Sequence, residues 1–235
     1  MKDLRSYILE GFKLGKNKVK KEENDFVYLD LPSKTLWAKY NVGAKPGSTT
    51  ESWYGDYFMW GDIEPADNKI CDWNNYKYTN GSPGHLIKYC TNIAYWDGKS
   101  KPDNKLTLDE EDDMANANMG GDWKMPTKEQ LQELIDNTTS EWVKNYKGIS
   151  GLNGILFTSK TNDNTLFIPA AGLRNNSTIL RAGQNVKIWS STLRSSTYAS
   201  YSDSSAYYLD SSSDDTDFYS NYRCLGFSVR GVMIK

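Results

Sequence analysis

A chain of 235 residues with a net charge of −2 and a pI near 5.6 has no basic excess to hold nucleic acid and no polybasic stretch to hold a membrane surface. Its length suits one large domain, or one domain with an appendage. Only 38% of the residues are hydrophobic, yet 8 Trp and 16 Tyr supply large rings for a core. Three cysteines (Cys71, Cys90 and Cys224) with no CxxC, and a single histidine, His85, make neither a disulfide framework nor a zinc site. A Cys71–Cys90 bond is the one pairing left open, beside the plainer reading of three buried thiols.

The opening residues, MKDLRSYILEGFKLGKNKVKKEEN, lack the apolar run of a secretory signal, and no stretch approaches the ~20 apolar residues of a membrane span. The expectation is a protein made in the cytoplasm, kept there or assembled there into a larger particle, without membrane insertion. Leu4, Tyr7, Ile8, Phe12 and Leu14 fall on one face of a short helix, and a Lys/Glu-rich linker follows. Residues 1–25 are therefore expected to be an N-terminal docking helix and linker; a helix packed on its own domain is the alternative.

Phe26–Leu31 alternates apolar and polar side chains and predicts a strand, with a second short strand around Leu36–Trp37. Residues 54–62 are aromatic and punctuated by glycine. Residues 63–105, rich in Asn, Asp, Gly, Pro and Tyr, predict long loops. Two helices are predicted next. One runs from Leu108 to Met119 and is closed by Gly120 and Gly121. The other is N-capped by Thr127, with Gln130 completing a capping box and Leu131, Leu134 and Ile135 on one face. The acidic run Asp109–Asp113 lacks the spacing of a calcium loop and reads as a solvated helix N-terminus.

Beyond residue 150, strand-like runs alternate with turn residues: 154–159, 165–172, 186–192, 205–209 and 225–234. Helices in the first half and strands in the second make an α+β protein. The first and last strands, Phe26–Leu31 and Phe227–Ile234, are expected to pair and so to protect both edges.

Residues 190–222 stand apart. They contain many Ser, Tyr and Asp and not one Lys, Glu, Gln or His. A flexible linker is the plain reading, but the strand-like SAYYL and the recurring Tyr198, Tyr201, Phe218, Tyr219 and Tyr222 argue against it. Tyr and Ser are the working alphabet of antibody paratopes: Tyr for rigid contact area, Ser for adaptable hydrogen bonds. The composition is that of a binding surface. Alternation along the strands places Trp189, Ala206, Tyr208, Leu209, Phe227, Val229 and Arg230 in the scaffold. It places Arg194, Ser195, Thr197, Tyr198, Ser200, Tyr201, Asp203, Asp214, Asp215, Asp217, Tyr219, Asn221 and Tyr222 on display as ligand-binding residues.

LWAKYNVGA, YFMWGD, GGDWKMPTKEQLQELI, FIPAAGLR, IWSST, AYYL and GFSVRGV, in that order over residues 26–235, resemble the successive motifs of the Fibrobacter succinogenes major paralogous domain. That family is related to the formylglycine-generating-enzyme branch of the C-type lectin fold. The resemblance implies a C-type-lectin-like ligand-binding domain over 26–235, with two helices in the first half, short antiparallel strands and long loops, plus the N-terminal helical appendage.

Similar proteins are variable proteins of diversity-generating retroelements, among them phage tropism determinants. In those systems adenine randomisation of AAY codons never yields Lys, Glu, Gln, Met or Trp, and none of these occurs in 190–222. The implied function is host attachment by a non-enzymatic bacteriophage virion protein. It would bind a host cell-surface glycan or protein, join other virion proteins through residues 1–24, and form a homo-oligomer, a trimer by preference. No nucleic acid, cofactor or metal is expected.

Two alternatives remain. A bacterial cell-surface adhesin or fimbrial tip protein would have to cross a membrane, and the N-terminus lacks a signal. A degenerate formylglycine-generating-type oxidase would need a C-x4-C pair; Cys224 fits its second cysteine, but Tyr219 stands where the first belongs. Calcium-dependent sugar binding lacks its EPN and WND signatures: residues 64–68 read EPADN.

Overall fold

The computed structural model describes residues 25–66, 69–195 and 202–234. Eleven strands and two α-helices are named here in chain order. The strands are β1 (Phe26–Tyr28), β2 (Leu36–Asn41), β3 (Thr138–Val143), β4 (Gly154–Ser159), β5 (Thr165–Pro169), β6 (Leu173–Asn175), β7 (Thr178–Leu180), β8 (Val186–Leu193), β9 (Ser205–Ser211), β10 (Thr216–Tyr222) and β11 (Arg230–Met233). The helices are α1 (Met114–Met119) and α2 (Lys128–Asn137). The strands form antiparallel sheets ordered β1-β2-β11, β10-β9-β8 and β3-β4-β5, with β6-β7 as a separate hairpin. The class is α+β, as expected. The proposed docking helix in residues 1–24 lies outside the described residues.

Local chemistry explains the helices. Thr127 Oγ1 accepts from the Gln130 N–H, and the Gln130 side chain accepts from the Thr127 N–H, so the capping box of α2 is complete. Leu131 and Leu134 are fully buried beneath it, with Ile135 half-buried. The predicted helix from Leu108 is shorter than expected. Residues 110–112 form a single 3-10 turn, and Asp113 then adopts an extended conformation (φ −79°, ψ 112°). Its carboxylate accepts from Ala115 and Asn116, which caps α1, and also from the Met125 N–H. The acidic run is not a solvated terminus either, since Asp112 and Asp113 are both buried.

The expected pairing of the first and last strands needs correction. β1 and β11 share a sheet, but β2 lies between them and pairs with both. β2 carries buried Trp37 and Ala38, so the sheet centre belongs to it rather than to the chain ends. β11 is confined to 230–233 because Gly226–Ser228 spend backbone bonds elsewhere: Gly226 pairs with Arg174, Phe227 pairs with Phe58, and Ser228 C=O accepts from Trp189 N–H.

Two apolar layers meet on β8 and β9. Val186, Ile188 and Leu209 join Leu29, Trp37, Leu131, Leu134, Phe157 and Val232 in a layer that binds all three sheets to α2. Trp189, Leu193, Ala206 and Tyr208 point the other way, into a layer with Phe58, Trp60, Tyr76, Tyr89, Met114 and Phe227. Buried on both faces, β8 fixes the position of β9, and β9 fixes β10.

Buried Arg230 locks the C-terminal strand. Its guanidinium donates to Asn41 Oδ1, Ala38 C=O and Phe167 C=O at 2.9–3.1 Å. Burial holds it below the ordinary arginine range.

Candidate ligand-display surface

β10 is where the scaffold stops and the surface begins. Its seven residues alternate between half-buried and exposed up to Ser220, because β9 and α2 support one side and solvent meets the other. Asp217↔Asp210, Tyr219↔Tyr208 and Asn221↔Ala206 are in register, so Asp217, Tyr219 and Asn221 stand on the face that β9 fills with Tyr208 and Asp210. Each of the seven expected scaffold residues is buried: Trp189, Ala206, Tyr208, Leu209, Phe227, Val229 and Arg230.

Polar contacts fix that face from below. Lys187 Nζ lies 2.5 Å from Asp210 Oδ2, which also accepts from the Tyr208 hydroxyl at 3.2 Å, while Asn185 Nδ2 donates to Asp210 Oδ1. Burial, reinforced by Asp210, raises the Tyr208 hydroxyl pKa above the usual tyrosine value, so it stays a donor. Beside them Tyr219, 47% exposed, donates its hydroxyl to Asp215 at 2.9 Å. That hydrogen bond is the first cause of its raised pKa.

Asp214, Asp215, Asp217, Tyr219 and Tyr222 are exposed, as a display surface requires, and Asn221 is half-exposed. Tyr222 rests edge-on against Trp73, 5.6 Å between ring centres. That brings a residue of the 63–105 loops beside the surface, a neighbour the sequence reading did not anticipate. Ser195 is exposed, its hydroxyl 3.0 Å from that of Thr91, and Arg194 is half-buried. Thr197, Tyr198, Ser200 and Tyr201 lie outside the described residues.

Asp203 is not a display residue. It is fully buried, and its carboxylate accepts from the Thr91 and Asn92 N–H groups at 2.6 and 2.9 Å and from the Thr91 and Ser202 hydroxyls. A buried carboxylate must be satisfied in this way or be expelled. Asp203 therefore ties the display segment to a loop more than 110 residues earlier in the chain. Arg223, at the far end of β10, does the same: buried between Trp60 and Tyr76, it donates to the Tyr89 carbonyl at 3.0 Å. The surface thus hangs from two buried charged anchors, both gripping residues 89–92.

Cys71, Cys90 and Cys224 are free and buried, so the Cys71–Cys90 bond is not formed. Burial pushes their thiols up to about 11, 12 and 12, far from the thiolate a nucleophile needs at neutral pH. Asp109, Glu111 and Asp112 gather three carboxylates within 4.8 Å, but Lys88 Nζ sits among them at 2.9, 3.1 and 2.6 Å. The cation at that cluster is the protein's own. Comparison with known proteins finds no matching family model, no curated relative and no similar solved structure.

Proposed function

We propose that this chain is a non-enzymatic ligand-binding protein: a C-type-lectin-like domain that presents the exposed side chains of β10, together with those of the Ser/Tyr-rich run that precedes it in sequence, to a host cell-surface glycan or protein, as a component of a bacteriophage virion. The observation that carries the reading is the contrast along β10. Tyr219 and Tyr222, with Asp214, Asp215 and Asp217, are exposed, while β8 and β9, which carry β10 at the sheet edge, are packed into two apolar layers. A rigid platform loses little entropy on binding, so its surface chemistry can change without loss of the fold. Exposed tyrosines on such a platform are the residue type that dominates binding energies.

The test is retention of fluorescently labelled protein on a panel of intact bacterial cells. Tyr219→Ala, Tyr222→Ala and Asp217→Ala should each weaken retention, the tyrosines by ~2 kcal/mol or more in binding, with unfolding midpoints unchanged. Variants retained as well as the unaltered protein, on every strain that retains it, would sink the reading. Sequencing the DNA beside the gene supplies a second test, because diversification requires a reverse transcriptase and a near-copy of the codons for 190–222.

A further inference from the structure

The outer edge of β10 is an open hydrogen-bonding surface. β9 occupies one side, and among the described residues no other strand pairs with β10. The phase of the ladder follows from β8. Trp189 N–H donates to the Ser228 carbonyl, away from β9, so Ile188 and its partner Leu209 bond one another. Tyr208 and Asp210 then turn their amides to β10, where Tyr219 and Asp217 meet them. The N–H and C=O groups of Thr216, Phe218 and Ser220 therefore point outward, as does the Tyr222 N–H, while the Tyr222 carbonyl accepts from the Leu225 N–H.

Two of these donors are covered by the preceding side chain: Phe218 N–H donates to Asp217 Oδ1 at 2.7 Å, and Tyr222 N–H to Asn221 Oδ1 at 2.9 Å. Among the described residues, Ser220 N–H and the carbonyls of Phe218 and Ser220 take no backbone bond outside the ladder.

A groove of about 410 Å³ runs beside this edge, walled by Lys128, Glu129, Gln132, Glu133 and Asp136 of α2 and bounded by Phe218. Its charge is negative. Three carboxylates face one ammonium, and that ammonium is drawn over the Phe218 ring at 4.7 Å. Exposed Asp214, Asp215 and Asp217 add to the field at the start of the strand.

We propose that β10 is a strand-addition site for an extended polypeptide bearing basic side chains. The incoming segment would bond along the edge at Phe218 and Ser220 and set alternate side chains against Phe218 in the groove beside α2. Main-chain bonds supply affinity in this mode, and the flanking groove supplies selection. Opposite charge on the segment complements the acidic rim. A second copy of the chain would instead bring its own acidic groove and Asp217 to the same edge, with no added cation to offset them. This site uses the backbone edge of the strand, whereas the display proposed above uses exposed side chains; the two share only the aspartates at the start of β10.

The experiment uses the full chain and a capped peptide of alternating Lys and Val, matched to the 7 residues of β10, followed by fluorescence anisotropy. Two controls accompany it: a Glu/Val peptide, and the Lys/Val peptide methylated on alternate amide nitrogens. The Lys/Val peptide should bind, and both controls should bind at least about tenfold more weakly. Ser220→Pro removes the outward donor where an edge strand tolerates proline, and it should cost a similar factor; Ile179→Ala, exposed on β7 and outside the groove, should cost nothing. Should Ser220→Pro fail to fold, the methylated peptide on the unaltered protein decides. Absent Lys/Val binding, or equal binding of the methylated peptide, overturns the proposal. So does a dimer in sedimentation that Ser220→Pro dissociates, which would assign the edge to a second copy.

Discussion

Replacing Trp189 with alanine tests whether the two-layer platform is what holds the display surface. The indole is fully buried, stacks on Phe227 at 4.1 Å, meets Tyr208 edge-on at 5.9 Å, and donates its N–H to the Phe58 carbonyl at 2.9 Å. Removing a buried tryptophan costs ~3–5 kcal/mol through lost transfer energy and the cavity left behind. The Phe58 carbonyl adds little, because it keeps the Phe227 N–H as a donor. Lost ring stacking places the cost toward the upper end of that range.

Against a total stability of ~5–15 kcal/mol, this is a large share, equivalent to a fall of roughly 6–20 °C in unfolding midpoint for a chain of this size. Tyr219→Ala, exposed and in register two strands across on β10, should stay within ~0.5 kcal/mol. Urea unfolding followed by tryptophan fluorescence and far-ultraviolet dichroism compares the two. A loss below ~1 kcal/mol for Trp189→Ala, or equal losses for both variants, would refute the division into platform and surface.

Asp203→Ala should destabilise the fold by about 2–4 kcal/mol, since it orphans the Thr91 and Asn92 amides. Hydrogen exchange at those two amides should quicken before the rest of the sheet does. Thr127→Ala should cost about 1 kcal/mol through loss of the capping box, read by thermal unfolding. For Asp112, burial raises the carboxyl pKa, but hydrogen bonds from Lys88, Tyr78, Tyr89 and Lys77 outweigh it and hold the group down to about 2. The folded value lies below the unfolded one of about 3.9. Its stabilisation is therefore complete above that pH and fades as the pH falls toward about 2. Urea midpoints measured from pH 6 to pH 2.5 should fall more steeply for the unaltered protein than for Asp112→Asn.

Features written in neighbouring residues were legible in the sequence. Thr127 and Gln130 form a cap whose partners are three residues apart, and β4, β8 and β9 carry enough apolar side chains to declare themselves. What escaped depended on distant partners. Asp113 ends the presumed long helix because its carboxylate finds the Met125 amide, twelve residues on. β3 follows α2 without a break and carries weak alternation, so only its register with β4 identifies it as a strand.

β10, TDFYSNY, has no unbroken apolar face and sits in a run of Ser and Asp; its alternation becomes visible once β9 is known. Asp203 misled for a similar reason. A buried aspartate among displayed ones has the same neighbours in sequence, and only the amides of residues 91 and 92 distinguish it. Composition alone, tyrosine and serine without lysine, singled out residues 190–222, and Asp214, Asp215, Asp217, Tyr219 and Tyr222 of that run lie exposed.

β2 lies between β1 and β11, and its register with β11 joins Leu36 to Met233. At the usual ~5–20 residues per second of synthesis, roughly 10–40 s separate the appearance of these two strands. Throughout that interval the inner strand of the sheet has one free edge, and Trp37 and Val232 cannot meet. Closure over so long a loop also slows folding after release. A ribosome that stops short of Arg230 would deliver no smaller version of this domain. It would release a chain whose central strand waits for a partner that never arrives, a substrate for chaperones and proteases.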